Sequence, residues 1–172
     1  FIFNICNFLK IDLKKIIPTL NKFKGLRFRN EIVINGKKIK VINDSKSTSF
    51  SSTQELIDTK KKTFWILGGL PKKGDKFTLG KKDCFNLRAY IFGKNAEFFV
   101  KRLKDKVHYQ KFNNMISAIK KIKIDFKKEQ MSNEKIILFS PASASFDNFK
   151  NFEERGRYFN SQLKKTGING KK

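Results

Sequence analysis

Thr63-Phe64-Trp65-Ile66-Leu67-Gly68-Gly69 carries the strongest fold signal in the chain. An unbroken apolar run of this length, stopped by glycines, fits a strand covered on both faces, and such strands belong to parallel sheets. Downstream, Ala89–Phe92 repeats the pattern, and Ala96, Phe99, Val100 and Leu103 then recur at helical spacing. Val107–Tyr109 reads as a short strand. Met115, Ile116, Ile119, Ile122 and Phe126 line one helix face, Ile136–Phe139 forms another strand, and Phe152–Leu163 a final helix. Upstream, Phe50–Asp58 is predicted helical. Glu31–Ile34 and Lys38–Ile42 flank Asn35-Gly36, a pair that favours a type I′ turn, and so predict a hairpin. Two short helices are expected before it. Phe3, Cys6, Phe8 and Leu9 mark the first; Leu13, Ile16, Ile17, Leu20 and Phe23, with Pro18 bending it, mark the second. Strands alternating with amphipathic helices predict an α/β fold: a mostly parallel sheet with helices on both faces and an N-terminal hairpin.

The 172 residues suffice for one domain whose core needs no disulfide. Cys6 and Cys84 lack metal or redox spacing and read as buried structural thiols, which fits a reducing compartment. Phe1–Leu9 is apolar but has no basic segment before it and no cleavage pattern after it, so it reads as the tail of a core helix in a chain truncated at its N-terminus. No apolar run approaches the about 20 residues of a membrane span. The formal charge of +24 invites a nucleic-acid reading through counterion release. Against it, lysine outnumbers arginine 33 to 6, whereas specific recognition favours the arginine fork, and the lysines are spread along the chain. Lys, Ile, Asn and Phe make up half the sequence, and all have AT-rich codons, so base composition can supply the charge. No specific nucleic-acid partner is expected. A non-catalytic basic α/β module that binds nucleic acid or another polyanion is the alternative.

In parallel sheets ligands bind beyond the C-terminal strand ends, which singles out three loops. Asn43-Asp44-Ser45-Lys46-Ser47-Thr48-Ser49 can orient a ribose or amine and neutralise an anion, or can simply cap a helix. Gly68-Gly69-Leu70-Pro71-Lys72-Lys73-Gly74-Asp75 lets backbone approach a ligand and offers two lysines for a carboxylate, or is a plain glycine turn. Ser140-Pro141-Ala142-Ser143-Ala144-Ser145-Phe146-Asp147 leaves backbone N–H groups accessible for an anion. There is no G-x-x-x-x-G-K-[ST] phosphate loop and no G-x-S-x-G elbow, and the one histidine, His108, reads as structural or surface.

In this order and spacing, the three loops resemble the D-glutamate-adding ligases of the Mur ligase family. Lys24-Gly25-Leu26 with Arg29 and Glu31 and the run Phe149-Lys150-Asn151-Phe152-Glu153-Glu154-Arg155-Gly156 match as well. Ser140 to Gly156 is the most specific segment, Asp44-Ser45-Lys46 with Thr48 less so, and the glycine loop least. The resemblance implies that residues 1–23 end a central ATPase domain, that 24–165 form a Rossmann-like C-terminal domain, and that 166–172 are a disordered tail. It implies a cytoplasmic, monomeric full-length enzyme of peptidoglycan synthesis, serving cell wall, cell shape and division, with ATP and Mg2+ as cofactors. Its substrates would be UDP-N-acetylmuramoyl-L-alanine and D-glutamate, joined through an acyl phosphate. Matched by position, Arg29, Asp44 and Lys46 would serve the nucleotide. Thr48, Lys72, Ser145, Phe146 and Phe152 would form the D-glutamate pocket, with Lys73 competing with Lys72 for the carboxylate. No catalytic residue or metal ligand of this chain is implied. Phe28 stands where the family usually has His, Ser49 where it has Asn, and Ser143 where Cys is frequent.

Overall fold

A computed structural model describes residues 1–23, 25–129 and 134–169. Two helices, α1 (Ile2–Phe8) and α2 (Leu13–Lys22), come first. Then follow β1 (Glu31–Asn35), β2 (Ile39–Asn43), α3 (Phe50–Gln54), β3 (Lys62–Leu67), β4 (Leu87–Phe92), α4 (Ala96–Leu103), β5 (His108–Phe112), α5 (Met115–Lys128), β6 (Lys135–Phe139) and α6 (Phe152–Lys165). The six strands form one sheet in the order β1-β2-β6-β3-β4-β5. Only β1 runs antiparallel to its neighbour. The expected α/β architecture, hairpin included, is therefore present.

Side chains alternate across the sheet as the pleat requires. Trp65 and Leu67 of β3 join Leu138, Ala89 and Ile91 under α3 and α4, where Phe50, Phe99 and Leu103 complete one core layer. Phe64 and Ile66 point to the opposite face and meet Ile137, Phe139 and Tyr90 under α5 and α6, with Ile119, Ile122, Phe159 and Leu163 above them. Both faces of β3 and β6 are sealed, which is why their sequences are continuously apolar.

Several local expectations differ from the structure. The hairpin forms without a type I′ turn, because neither Asn35 nor Gly36 has the positive φ it requires. Ile34 pairs with Val41 and the connection runs through Gly36–Lys38, closed by Gly36 N–H donating to the Ile39 carbonyl at 2.8 Å. The register of β2 is set by its parallel pairing with β6, from Ile39↔Lys135 to Asn43↔Phe139, and that pairing overrides the turn preference. The helix expected over Phe50–Asp58 ends at Gln54. Strand β5 starts at His108 and reaches Phe112, and His108 is exposed. Thr166 and Ile168, expected in a disordered tail, are held: Thr166 Oγ1 donates to the Leu163 carbonyl at 2.6 Å and Ile168 packs against the α5/α6 core. Residues 170–172 of that tail, and Lys24 at the expected domain boundary, lie outside the described residues.

Helices α1 and α2 form where expected, with Pro18 inside α2. Many apolar residues in and beside them, among them Phe1, Phe8, Leu9 and Phe23, are exposed, and α2 has no buried residue. Both cysteines are free and buried, and burial, followed by the charge of Asp83, pushes the Cys84 thiol up to about 11. No described helix is long and apolar enough to cross a membrane.

Candidate functional site

Strands β2, β6 and β3 are immediate neighbours, so the three loops leaving their C-terminal ends emerge side by side. The helix after β2 lies on one face of the sheet and the helix after β6 on the other, so the chain diverges at this point. Such divergence opens a crevice at the strand ends. Backbone hydrogen bonds stitch the loops together. Asp44 N–H donates to the Phe139 carbonyl at 2.7 Å, Gly68 N–H to Pro141 at 3.2 Å and Ser143 N–H to Ser47 at 3.4 Å. Leu70 and Ala144 exchange two bonds of 3.0 and 2.9 Å as an isolated antiparallel bridge. A Cβ on Gly69 would lie 2.5 Å from Ser143 Oγ and 2.7 Å from the Ala144 carbonyl, so only glycine permits this approach.

Beneath the loops sits Arg155, in the first turns of α6 and 1% exposed. Its Nη2 donates to the carbonyls of Ser45 (2.7 Å) and Ser143 (2.9 Å), Nη1 to the Ala144 carbonyl (3.0 Å), and Nε to Ser45 Oγ (3.2 Å). A planar fork with five N–H donors suits this divergent set of acceptors, and a lysine ammonium does not. Every acceptor is neutral. Burial pushes the guanidinium down to about 10, opposed by the charges of Asp147 and Asp44, so it remains a cation at neutral pH. Asn43 adds a second tie, with Nδ2 donating to the Gly156 carbonyl at 3.0 Å and to Asn160 Oδ1 at 2.8 Å.

Asp44 is buried, with Oδ1 accepting from Asn30 N–H and Oδ2 from Ser140 Oγ, each at 3.0 Å. A carboxylate offers about four acceptor positions, so two remain for a ligand hydroxyl. Burial raises its pKa above the ordinary carboxylate range, although those two hydrogen bonds and the nearby Arg29 and Arg155 act the other way. Folding therefore favours its protonated form. That contribution is complete below the unfolded pKa and is lost as pH rises through the folded one. Asp44→Asn is expected to flatten this fall in stability above pH about 4 and to leave the protein at least as stable at pH 7. Urea midpoints across pH 4–7 check it, and a midpoint profile unchanged from wild type contradicts it.

Lys46 is half-buried with its ammonium 4.3 Å from the centre of the Phe152 ring, which brings two expected ligand residues from separate loops together. Ser145 is buried within the third loop, and Phe146 is 72% exposed. Thr48, Lys72, Lys73 and Arg29 are exposed at the same end of the sheet, and none of these three cations has a carboxylate within ion-pair reach among the described residues. The segments bearing the expected site residues thus converge. In the sequence Arg155 and Asp75 stand only as members of the matching pattern and Phe28 as a departure from it, and none of the three has an assigned role. Arginine in a chain that otherwise uses lysine was a signal that a fork was needed at position 155. Phe28 has φ +62, and its ring fills the space against Gly156, where a Cβ would lie 2.3 Å from Cδ1. Among the described residues no group of three or more His, Cys, Asp or Glu could hold a metal ion. Asp44 keeps acceptor positions that its two hydrogen bonds leave unused, Arg29 lies near enough to act on its charge, and among the described residues neither Arg29 nor Lys46 has a carboxylate within ion-pair reach.

No family model matches the chain. UDP-N-acetylmuramoylalanine–D-glutamate ligase of Wolbachia sp. subsp. Brugia malayi (strain TRS) is 36% identical over 156 residues, which cover 90% of this chain and 31% of that protein. The ligase of the same name from Wolbachia pipientis wMel is 37% identical, covering 90% and 30%, and that of Francisella philomiragia 34%, covering 92% and 38%. The chain belongs to the Mur ligase family. It spans about a third of the length of these Mur ligase relatives. Two solved Mur ligases from Thermotoga maritima share the fold. UDP-N-acetylmuramate-alanine ligase MurC has a TM-score of 0.55 at 16% identity, covering 95% of this chain and 36% of that one. MurF ligase in complex with ADP has a TM-score of 0.51 at 16% identity, covering 88% and 36%.

Proposed function

We propose that this chain is the D-glutamate- and nucleotide-binding part of an ATP-dependent ligase that extends UDP-N-acetylmuramoyl-L-alanine by D-glutamate in the cytoplasm. The observation that carries the reading is the convergence of three loops around the buried Arg155 at the C-terminal end of β2, β6 and β3, with Lys46, Lys72 and Lys73 unpaired at their rim. A dicarboxylic amino acid requires such a mixture of cations and neutral donors. In this reading Thr48, Ser145, Phe146, Phe152 and one of the two loop lysines hold D-glutamate and present its amine. Arg29, Asp44 and Lys46 face the nucleotide, which supplies the phosphoryl group that activates the acceptor carboxylate. Residues 1–23 correspond to the end of a central ATPase domain and 24–165 to the C-terminal domain. The full-length enzyme works as a monomer, and this portion by itself does not turn over, since it carries neither a phosphate loop nor a metal cluster among its described residues.

The test is an amide-shift titration of the chain with D-glutamate and, separately, with ATP. D-glutamate is expected to move the signals of Thr48, Lys72 and Ser145, and ATP those of Arg29 and Asp44. Lys72→Ala or Lys73→Ala, whichever removes the carboxylate's partner, is expected to weaken D-glutamate binding roughly tenfold. Silence at all of these sites at saturating ligand, or displacement of D-glutamate effects by any polyanion, contradicts the reading.

A further inference from the structure

Beyond the Leu70–Ala144 bridge, the part of the loop that carries Lys72 and Lys73 is fastened at Asp75. Three contacts meet there. Its own N–H donates to the Lys72 carbonyl at 3.2 Å and closes a turn through Gly74, which has φ +78. Its Oδ2 accepts the Phe50 N–H at 2.6 Å. Its carbonyl accepts Arg102 Nε at 2.8 Å, and Arg102 is itself held on α4, with its guanidinium 3.5 Å over the Phe98 ring and Nη1 donating to the Phe98 carbonyl at 3.1 Å. Two residues further on, Phe77 is buried against Trp65 and Phe50.

Phe50 lies two residues after Thr48 and directly after Ser49, the cap of α3. The Asp75 side chain therefore fastens the lysine turn to the segment that presents Thr48, across 25 residues of sequence. The lysines are exposed and have no carboxylate partner among the described residues, so nothing else on their side chains fixes where the ammonium groups stand. We propose that Asp75 is the positioning residue that sets the Lys72–Lys73 turn opposite Thr48, and so determines how firmly the site grips a carboxylate of D-glutamate. This rests on the D-glutamate reading above. Asp75 touches no ligand itself. It acts through the Phe50 N–H.

The experiment compares D-glutamate and ATP binding, by amide shifts, in wild type, Asp75→Ala, Asp75→Asn and Arg102→Ala. Asn keeps an oxygen that can accept the Phe50 N–H, so Asp75→Asn is expected to bind D-glutamate within about twofold of wild type, whereas Asp75→Ala weakens it about tenfold. Arg102→Ala, which frees the other side of the turn, is expected to fall between them. ATP binding at Arg29 and Asp44 is expected to stay at the wild-type level in all three, which also shows that each variant is folded. Undiminished D-glutamate binding in Asp75→Ala overturns the proposal, as does a parallel loss of both ligands, which marks a merely structural residue. A wild-type chain that ignores D-glutamate overturns the underlying reading and this proposal with it, and the wild-type arm alone separates that failure from the others.

Discussion

Arg155→Ala is expected to destabilise the protein by roughly 3–5 kcal/mol, because the buried Ser45 and Ser143 carbonyls would lose the only donor they have among the described residues, and the Ala144 carbonyl one of its two. The guanidinium, itself almost wholly buried, serves the carbonyls of Ser45, Ser143 and Ala144 and the Ser45 hydroxyl. Lysine is a partial remedy, since its one nitrogen can replace Nη2 but not the further bonds of Nη1 and Nε, and Arg155→Lys should recover less than half of the loss. Trp65, the one tryptophan, reports on this event. It is fully buried and its Nε1 donates to the Ser140 carbonyl at 2.7 Å, at the base of the same loop. Urea unfolding followed by its fluorescence gives the number, and an alanine variant within about 1 kcal/mol of wild type contradicts the role assigned to Arg155.

Gly68→Ala is the second large effect, expected at about 2–4 kcal/mol. Gly68 has φ +143, a conformation L residues rarely adopt. A Cβ there would stand 2.1 Å from the Phe92 carbonyl oxygen, a backbone atom at the end of β4 that cannot turn aside. Relief requires β3 and β4 to separate where the lysine loop departs. Gly74 is the control: its φ is +78 but no atom lies within 4 Å of its Cβ position, so alanine there should cost only about 1 kcal/mol of backbone strain. Comparable losses at both positions would show that the close approach to Phe92 contributes nothing.

The strands were the legible part of this fold. β3 from Phe64 and β6 from Ile136 are apolar to their ends because both their faces are covered, and β2, β6 and β3 carry three chemically distinctive loops at adjacent strand ends. Periodicity also located α5 and α6 within a few residues, since each keeps one face in the core. Helix α3 was less legible. Leu56 and Ile57 extend an apolar pattern past Gln54, yet the serines and threonine before them bond elsewhere: Ser52 Oγ donates to the Ser49 carbonyl, and Thr53 Oγ1 contacts both Ser47 and Ser140. Hydroxyls tied to the loop compete with helix propagation. The hairpin turn departs from the local Asn-Gly preference because its register is dictated by β6, about 100 residues away, and no local window contains that pairing. In the site, motif residues were visible but their internal bonding was not. Arg155 and Asp75 look like ordinary surface charges in the sequence, and only the fold reveals that one lies beneath three loops and the other fastens two.

In the proposed function the three loops form one receptor for a small dicarboxylic amino acid. Crystals of the chain soaked in D-glutamate test it most directly. Density is expected for one molecule beyond the ends of β2, β6 and β3, with one carboxylate against the ammonium of Lys72 or Lys73 and the other against Ser145 and its neighbouring N–H groups. Density at any other face of the sheet, or an empty crevice in crystals that bind D-glutamate elsewhere, would contradict it.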